Sequence, residues 1–395
     1  MSFKRIGDLE RAYLNDVLKN AFRSSKGAVF MSRLEAAFAA KFRSRFAISF
    51  VNGTATMHAA LEAAGIGTGD EVIVPPLTMS STSLAVLHAN ATPVFADVDP
   101  ETWVIDAAAI ESQITPKTRA IITVALYGLS PQMASIMEIA RKHSLFVIED
   151  NAQAFLSYID NQLAGTVGHC GSFSFQSSKH MTCGEGGMII TDDEELAVRI
   201  RKTAGLGYTT LSSRKAKITK SEIQSPLFER HDYLGWNYRM SELCCAVALA
   251  QLERLDELVE IRQNAARVLA EALASTGSIL LIPQKVPGNC RSSCWTFVCR
   301  LDTDRVAWNK FRESFLSHGG HEFYAAWQLT YLEPLFRDRL FGRRVDYITR
   351  KYTRGLCPNA EDLQPRLVQF KTNFWNSADL NRQADALVAS LRSLS

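Results

Sequence analysis

Three short stretches of this sequence combine residue types that can do chemistry. In FAISFVNGTATMHAALEAAGI an apolar strand pattern ends near Phe50, and Asn52-Gly53-Thr54 turns the chain into a helical pattern. The first N–H groups of a helix lack intrahelical partners and lie at the positive end of its macrodipole, so together they bind phosphate. Gly53 lets the backbone approach closely, and the Thr54 hydroxyl adds a donor; an ordinary capped helix would read the same way. In LFVIEDNAQAF a strand pattern ends in Glu149-Asp150. Open α/β sheets gather their ligand-binding residues at such carboxyl ends. Asp150 there could cap a helix, bind a metal or a ribose, or hold a protonated ring nitrogen. In GSFSFQSSKHMTCGEGGMIITDD, Lys179 lies between two apolar runs, just before Gly184-Glu185-Gly186-Gly187. Burying an ammonium is costly unless it is paired or neutralised. Such a lysine either snorkels to water or sits in a pocket with a lowered pKa, where it can form a Schiff base.

Together the three stretches match the needs of one cofactor, pyridoxal 5'-phosphate. Its phosphate needs donors, its pyridine nitrogen needs an anion to stay protonated, and its aldehyde needs an amine. On this reading Lys179 and Asp150 are the catalytic pair. The aspartate acts without touching substrate, because a protonated ring is what withdraws electrons.

These residues need a frame that brings strand ends and helix starts together. Strand patterns occur at FAISF (46–50), EVIVP (71–75), TPVFADV (92–98), RAIITVAL (119–126), LFVIED (145–150), GSFSFQ (171–176) and GGMIIT (186–191). Several are apolar at nearly every position, as strands covered on both faces must be. Helical patterns separate them at Thr54–Ala64, Ser80–Ala89 and Met133–His143. The alternation predicts an α/β fold with a mostly parallel central sheet covered by helices. GGMIIT follows GSFSFQ too closely for a helical crossover and is expected to run antiparallel. A long helical pattern with a phase shift spans Met240 to Ser275. Beyond it ILLIP (279–283), WTFVCRL (295–301) and LVQFKT (367–372) read as strands, and Val306–His318 and Leu380–Leu394 as helices. This predicts a large α/β domain over residues 1–265 and a smaller α+β domain over 266–395. The stretch Gly207–Tyr233 is polar and aperiodic; it reads as a long surface loop, or as one reaching into an active site.

Composition narrows the classes. The 395 residues are 47% hydrophobic and 22% charged, which excludes a disordered or fibrous chain. A net charge of +3, with scattered Lys and Arg, argues against a nucleic-acid partner. No apolar run approaches the roughly 20 residues of a membrane helix, and the N-terminal MSFKRIGDLERAYLNDV does not read as a signal peptide. A cytoplasmic enzyme is expected. No metal site is expected either: Cys290, Cys294 and Cys299 lack paired spacing, and Cys244 and Cys245 sit in an apolar helix and should be core. His318-Gly319-Gly320-His321 reads as a glycine stop after a helix.

The motifs NGTATMHAALEAAGIGTGDEVIVPP, PVFADVDPETW, VIEDNAQAF, SFSFQSSKHMTCGEGGMIITDD and LGWNYRMSELCCAVALAQL resemble those of the DegT/DnrJ/EryC1/StrS aminotransferases. The likeness runs in order over residues 5–265. It implies the fold type I architecture and pyridoxal-phosphate-dependent transfer of an amino group from glutamate or glutamine to a keto-sugar, with pyridoxamine phosphate as intermediate. The sugar would most often be nucleotide-linked. Position by position, Lys179 resembles the Schiff-base lysine, Asp150 the partner of the pyridine nitrogen and Gln153 the residue that bonds the cofactor's 3-hydroxyl. Gly53, Thr54 and Ser174 resemble the phosphate-binding set. Asn237 and Arg239 fall in a segment that reaches the neighbouring subunit's site in the family, which implies a homodimer with shared active sites. Met79 stands where the family usually stacks an aromatic ring on the cofactor; a thioether can still pack there. Some relatives carry histidine at the lysine position and act as pyridoxamine-dependent sugar dehydratases. Lys179 is five residues after Ser174 and five before Gly184, the family's spacing for lysine, so His180 reads as a polar neighbour in the loop. The remaining alternatives are an aminotransferase for a cyclitol or other free ketone, and a catalytically silent regulatory homologue.

Overall fold

A computed structural model describes residues 4–19, 29–321 and 323–394. Residues 1–3 of the N-terminal stretch lie outside the described residues. In chain order the first elements are α1 (Asp8–Lys19), α2 (Val29–Phe42), β1 (Phe46–Phe50), α3 (Gly53–Ala63), β2 (Glu71–Val74), α4 (Ser81–His88) and β3 (Thr92–Phe95). Then come α5 (Ala107–Ser112), β4 (Thr118–Val124), α6 (Met133–His143), β5 (Phe146–Asp150), β6 (Tyr158–Ile159), β7 (Gln162–Leu163), β8 (Cys170–Ser174) and β9 (Gly187–Thr191). Helices α7 (Glu194–Ala204), α8 (Lys220–Gln224), α9 (Glu242–Glu253) and α10 (Leu255–Ser275) follow. The chain closes through β10 (Leu281–Pro283), β11 (Cys290–Arg291), β12 (Thr296–Leu301), α11 (Trp308–Ser317) and β13 (Tyr324–Ala325). Last are α12 (Pro334–Arg337), α13 (Pro358–Leu363), β14 (Leu367–Lys371) and α14 (Ser377–Leu394).

The central sheet has strand order β1-β9-β8-β5-β4-β2-β3. Strands β3, β2, β4, β5 and β8 run parallel, and β9 runs antiparallel to both β8 and β1. The expected α/β sheet is present, with GGMIIT reversed as the short connection requires. Strands β1, β3, β8 and β9 are buried at every residue because helices cover both faces. Helix α6 shows why one sequence can do this covering. Met133, Ile136, Ile139 and Ala140 recur at helical spacing and are buried, while Arg141, Lys142 and His143 complement the last turn of the helix.

Some boundaries move for identifiable reasons. TPVFADV stops being strand at Phe95, because the Asp97 carboxylate turns to accept from the backbone N–H groups of Asn359 (2.8 Å) and Ala360 (3.0 Å). The Met240–Ser275 pattern is two helices that meet at Arg254, which explains its phase shift. Residues 207–233 are not structureless: α8 carries a capping box between Thr219 and Glu222, Leu211 is buried, and Lys202 pairs with Asp232 at 2.5 Å.

A second sheet, β10-β12-β14-β13, is packed by the later half of α10 together with α11 and α14. Leu255, Leu258 and Val259 of α10 join the core under the central sheet, whereas Ala265, Ala266, Leu269 and Leu273 join the core of the second. One helix therefore links both cores. Residues of 326–363, including Tyr331, Phe336, Ile348 and Tyr352, turn back onto the first core around Phe95.

Candidate active site

The carboxyl ends of β4 and β5, the starts of α3 and α4, and the loop after β8 enclose a cavity of about 320 Å³. Strand β5 carries Asp150 to its rim. The carboxylate is buried, takes a hydrogen bond from Thr82 Oγ1 (2.9 Å) and another from the Ala152 N–H (3.1 Å). Burial pushes its pKa up, opposed by those two donors and by the charge of Lys179. A buried carboxylate held this way is best satisfied by a cation.

Lys179 lines the same cavity, its side chain buried and its Nζ 4.8 Å from the centre of the Trp295 ring. Desolvation lowers its pKa to about 8; Asp150 and Glu185 pull it up, and Arg262 pushes it further down. A usable fraction of the amine is therefore neutral near physiological pH, which an exposed lysine could not offer.

At the start of α3, Asn52 caps the helix by accepting from the Ala55 N–H at 2.8 Å. Gly53 has no room for a side chain: a Cβ there would lie 2.8 Å from Ser174 Cβ. Thr54, Ser174 and this turn line the cavity together. The arrangement fits the phosphate of pyridoxal phosphate, and Asp150 and Lys179 fit its ring nitrogen and aldehyde. Gln153 also lines the cavity; its amide oxygen accepts from the Tyr127 N–H (2.8 Å), which leaves its NH₂ as the donor. Met79 lines the cavity as well and is 48% exposed, open to whatever binds there.

The structure thus gathers Gly53, Thr54, Met79, Asp150, Gln153, Ser174 and Lys179 around one cavity. It does not bring Asn237 and Arg239 to the cavity of the same chain. Their segment runs beside the turn at residues 52–54 instead: Tyr238 O accepts from Val51 N (2.9 Å), and Tyr238 OH meets His58 Nδ1 at 3.0 Å. The loop 207–233 lines no part of this cavity either.

His180 lies in the loop after β8, as expected, but is turned away from solvent. It is fully buried and its Nε2 lies 3.0 Å from Ser293 O, so burial drives its pKa well down and leaves it a neutral donor in the core. Cys244 is half-buried rather than core, whereas Cys245 is buried. Among the described residues no cluster of His, Cys, Asp and Glu could hold a metal ion, and no helix is long and apolar enough to cross a membrane.

Sequence reasoning missed Trp295 and Trp327, which line the cavity with ring centres 6.1 Å apart. Trp295 is fixed by its indole N–H to Ser178 O (2.9 Å) and its backbone N–H to Tyr127 O (3.0 Å). WTFVCRL signalled a strand but not that its first residue would cross to the first core. Thr82, Gln176 and Glu185 were also missed, although each stands within three residues of Met79, Ser174 or Gly184.

The model of the DegT/DnrJ/EryC1/StrS aminotransferase family matches residues 4–374, and the chain belongs to that family. The chain is 39% identical over 297 residues to a GDP-perosamine synthase of Caulobacter vibrioides, covering 75% of this chain and 76% of that protein. It is 36% identical over 341 residues to a Streptoalloteichus tenebrarius protein provisionally named L-glutamine:3-amino-2,3-dideoxy-scyllo-inosose aminotransferase, covering 85% and 77%. Among solved structures, an aminotransferase from Psychrobacter cryohalolentis is similar at a TM-score of 0.87 and 25% identity, over 100% of this chain and 99% of that one.

Proposed function

We propose that this enzyme moves an amino group from glutamate or glutamine to the ketone of a nucleotide-linked sugar, using pyridoxal phosphate held by the residues above. One observation carries the reading: a buried lysine amine with a lowered pKa shares a cavity with a buried aspartate and a glycine-tight helix start. When bound, pyridoxal phosphate supplies an aldehyde that exchanges amines and a cationic ring that withdraws electrons. The α3 N-terminus, Thr54 and Ser174 would hold its phosphate, and Asp150 would keep its ring nitrogen protonated. Gln153 would orient the ring through its NH₂, and Met79 and Trp295 would wall it from water. Lys179, displaced by the incoming amine, would carry a proton off the donor carbon and return it to the acceptor carbon, as an amine titrating near neutrality can.

A relative named for a GDP-linked product favours a nucleotide-linked acceptor, and one whose name includes L-glutamine and an inosose favours glutamine and keeps a cyclitol ketone as the second reading. Dehydratase chemistry is disfavoured, because the cavity presents Lys179 while His180 faces the core. Intact Lys179 and Asp150 argue against a silent homologue. We place the division between large domain (1–265) and small domain (266–395) within α10, where its packing changes core. We also propose that the working unit is a homodimer in which Asn237 and Arg239 complete the partner's phosphate site, since this chain's own phosphate turn offers only neutral donors. The substrate is tested by screening keto-sugars, their nucleotide conjugates and cyclitol ketones with glutamate or glutamine. Amination confined to free cyclitol ketones would overturn the nucleotide-sugar reading.

A further inference from the structure

Behind the cavity wall lies a buried cation. Arg262 of α10 is fully buried, and among the described residues it forms no ion pair. Its Nη1 donates to Trp295 O (2.7 Å) and Thr372 Oγ1 (3.4 Å), and its Nη2 to Ser178 O (2.9 Å) and Lys179 O (3.2 Å). Arg5 Nη2 also reaches Lys179 O, at 2.8 Å, so two guanidinium groups converge on one carbonyl. Burying an unpaired charge costs several kcal/mol, and the two N–H groups of a neutral amide could hold two of the three carbonyls without that cost. Holding the backbone therefore does not explain the charge.

We propose that Arg262 is a positioning residue for the Lys179 amine: it clamps the backbone at Ser178, Lys179 and Trp295, and its unpaired positive charge opposes protonation of that amine. The charged groups acting on Lys179 divide accordingly. Asp150 and Glu185 favour the ammonium, as does the Trp295 ring 4.8 Å away, whereas burial and Arg262 disfavour it. Arg5 reinforces the clamp; burial first, and repulsion by Arg5 second, lower the pKa of the Arg262 guanidinium itself to about 9. His180 is neutral and bonded to Ser293 O, so it adds no charge.

The inference rests on Lys179 being the reactive amine, and the test separates the two ideas. Cofactor-free protein is labelled with trace acetic anhydride from about pH 6 to 11, and the Lys179 peptide is quantified against that of the exposed Lys310. Wild-type Lys179 should show its midpoint near 8. Arg262→Gln keeps two N–H donors for the three carbonyls but removes the charge, and Arg262→Met removes both. Each should move the midpoint upward and slow Lys179 labelling at neutral pH by at least about twofold. Arg262→Lys should restore the wild-type profile. An Arg262→Gln profile identical to wild type would overturn the proposal and leave Arg262 a backbone anchor. Should Arg262→Met fail to fold, Arg262→Gln decides alone. Wild-type Lys179 titrating alongside Lys310 would instead sink the reading of Lys179 itself.

Discussion

Replacing Lys179 by methionine should stabilise the cofactor-free protein. The native state holds this ammonium almost out of water, and the fall of its pKa from 10.5 to about 8 measures what that costs. At about 1.4 kcal/mol per pKa unit the cost is about 3 kcal/mol, with the attraction of Asp150 already included. Methionine has a similar reach and no charge to desolvate. The sign follows from proton linkage. Below pH 8 the lysine is charged in both states, and wild type carries the full penalty. Between 8 and 10.5 the unfolded chain binds a proton that the native state has released, so wild-type stability rises with pH and the penalty shrinks. Above 10.5 it is gone. Denaturant unfolding of both cofactor-free proteins should show Lys179→Met ahead by about 3 kcal/mol at neutral pH, about 2 near pH 9 and nothing above the upper limit. A variant less stable than wild type, or a gain that does not change with pH, would refute the claim that burial depresses this amine.

Further outcomes follow from the same geometry. Asp150→Asn keeps shape but loses the anion; cofactor should stay bound while turnover falls at least ~100-fold, and unchanged turnover would make Asp150 a mere turn-former. Gly53→Ala puts a methyl group against Ser174 Cβ, so equilibrium dialysis should show pyridoxal phosphate binding weakened by at least about tenfold, and unaltered affinity would remove this turn from the phosphate site. Mixing Lys179→Ala chains with chains carrying both Asn237→Ala and Arg239→Ala should restore activity, because a mixed dimer then holds one site free of both defects. Silence despite demonstrated subunit exchange would end the shared-site proposal.

Much of this site was legible because each part depends on local pattern. Buried strands declare themselves by continuous apolar runs, and a turn rich in glycine or a lysine between such runs is conspicuous. Lys179, Asp150 and Gly53 were found that way, and Met133–His143 is a helix between the very residues its periodicity predicted. What was hidden depends on long-range packing. Arg262 looked like any charged helix residue, yet its helix carries it beneath the loop holding Lys179. Trp295 and Trp327 reach the cavity from the far part of the chain, and no spacing rule connects them to residues more than a hundred positions earlier. His180 is in the loop as read, but its burial was hidden for the same reason, since a polar side chain beside Lys179 gives no hint that its ring turns to Ser293.

Lys179 is proposed as the residue that joins covalently to pyridoxal phosphate. Borohydride reduction of the loaded protein, followed by mass mapping of the modified lysine, tests it directly. The pyridoxyl group should lie on the peptide containing Lys179 and be absent in Lys179→Ala. A label on any other lysine, or an equal label in the variant, would contradict it.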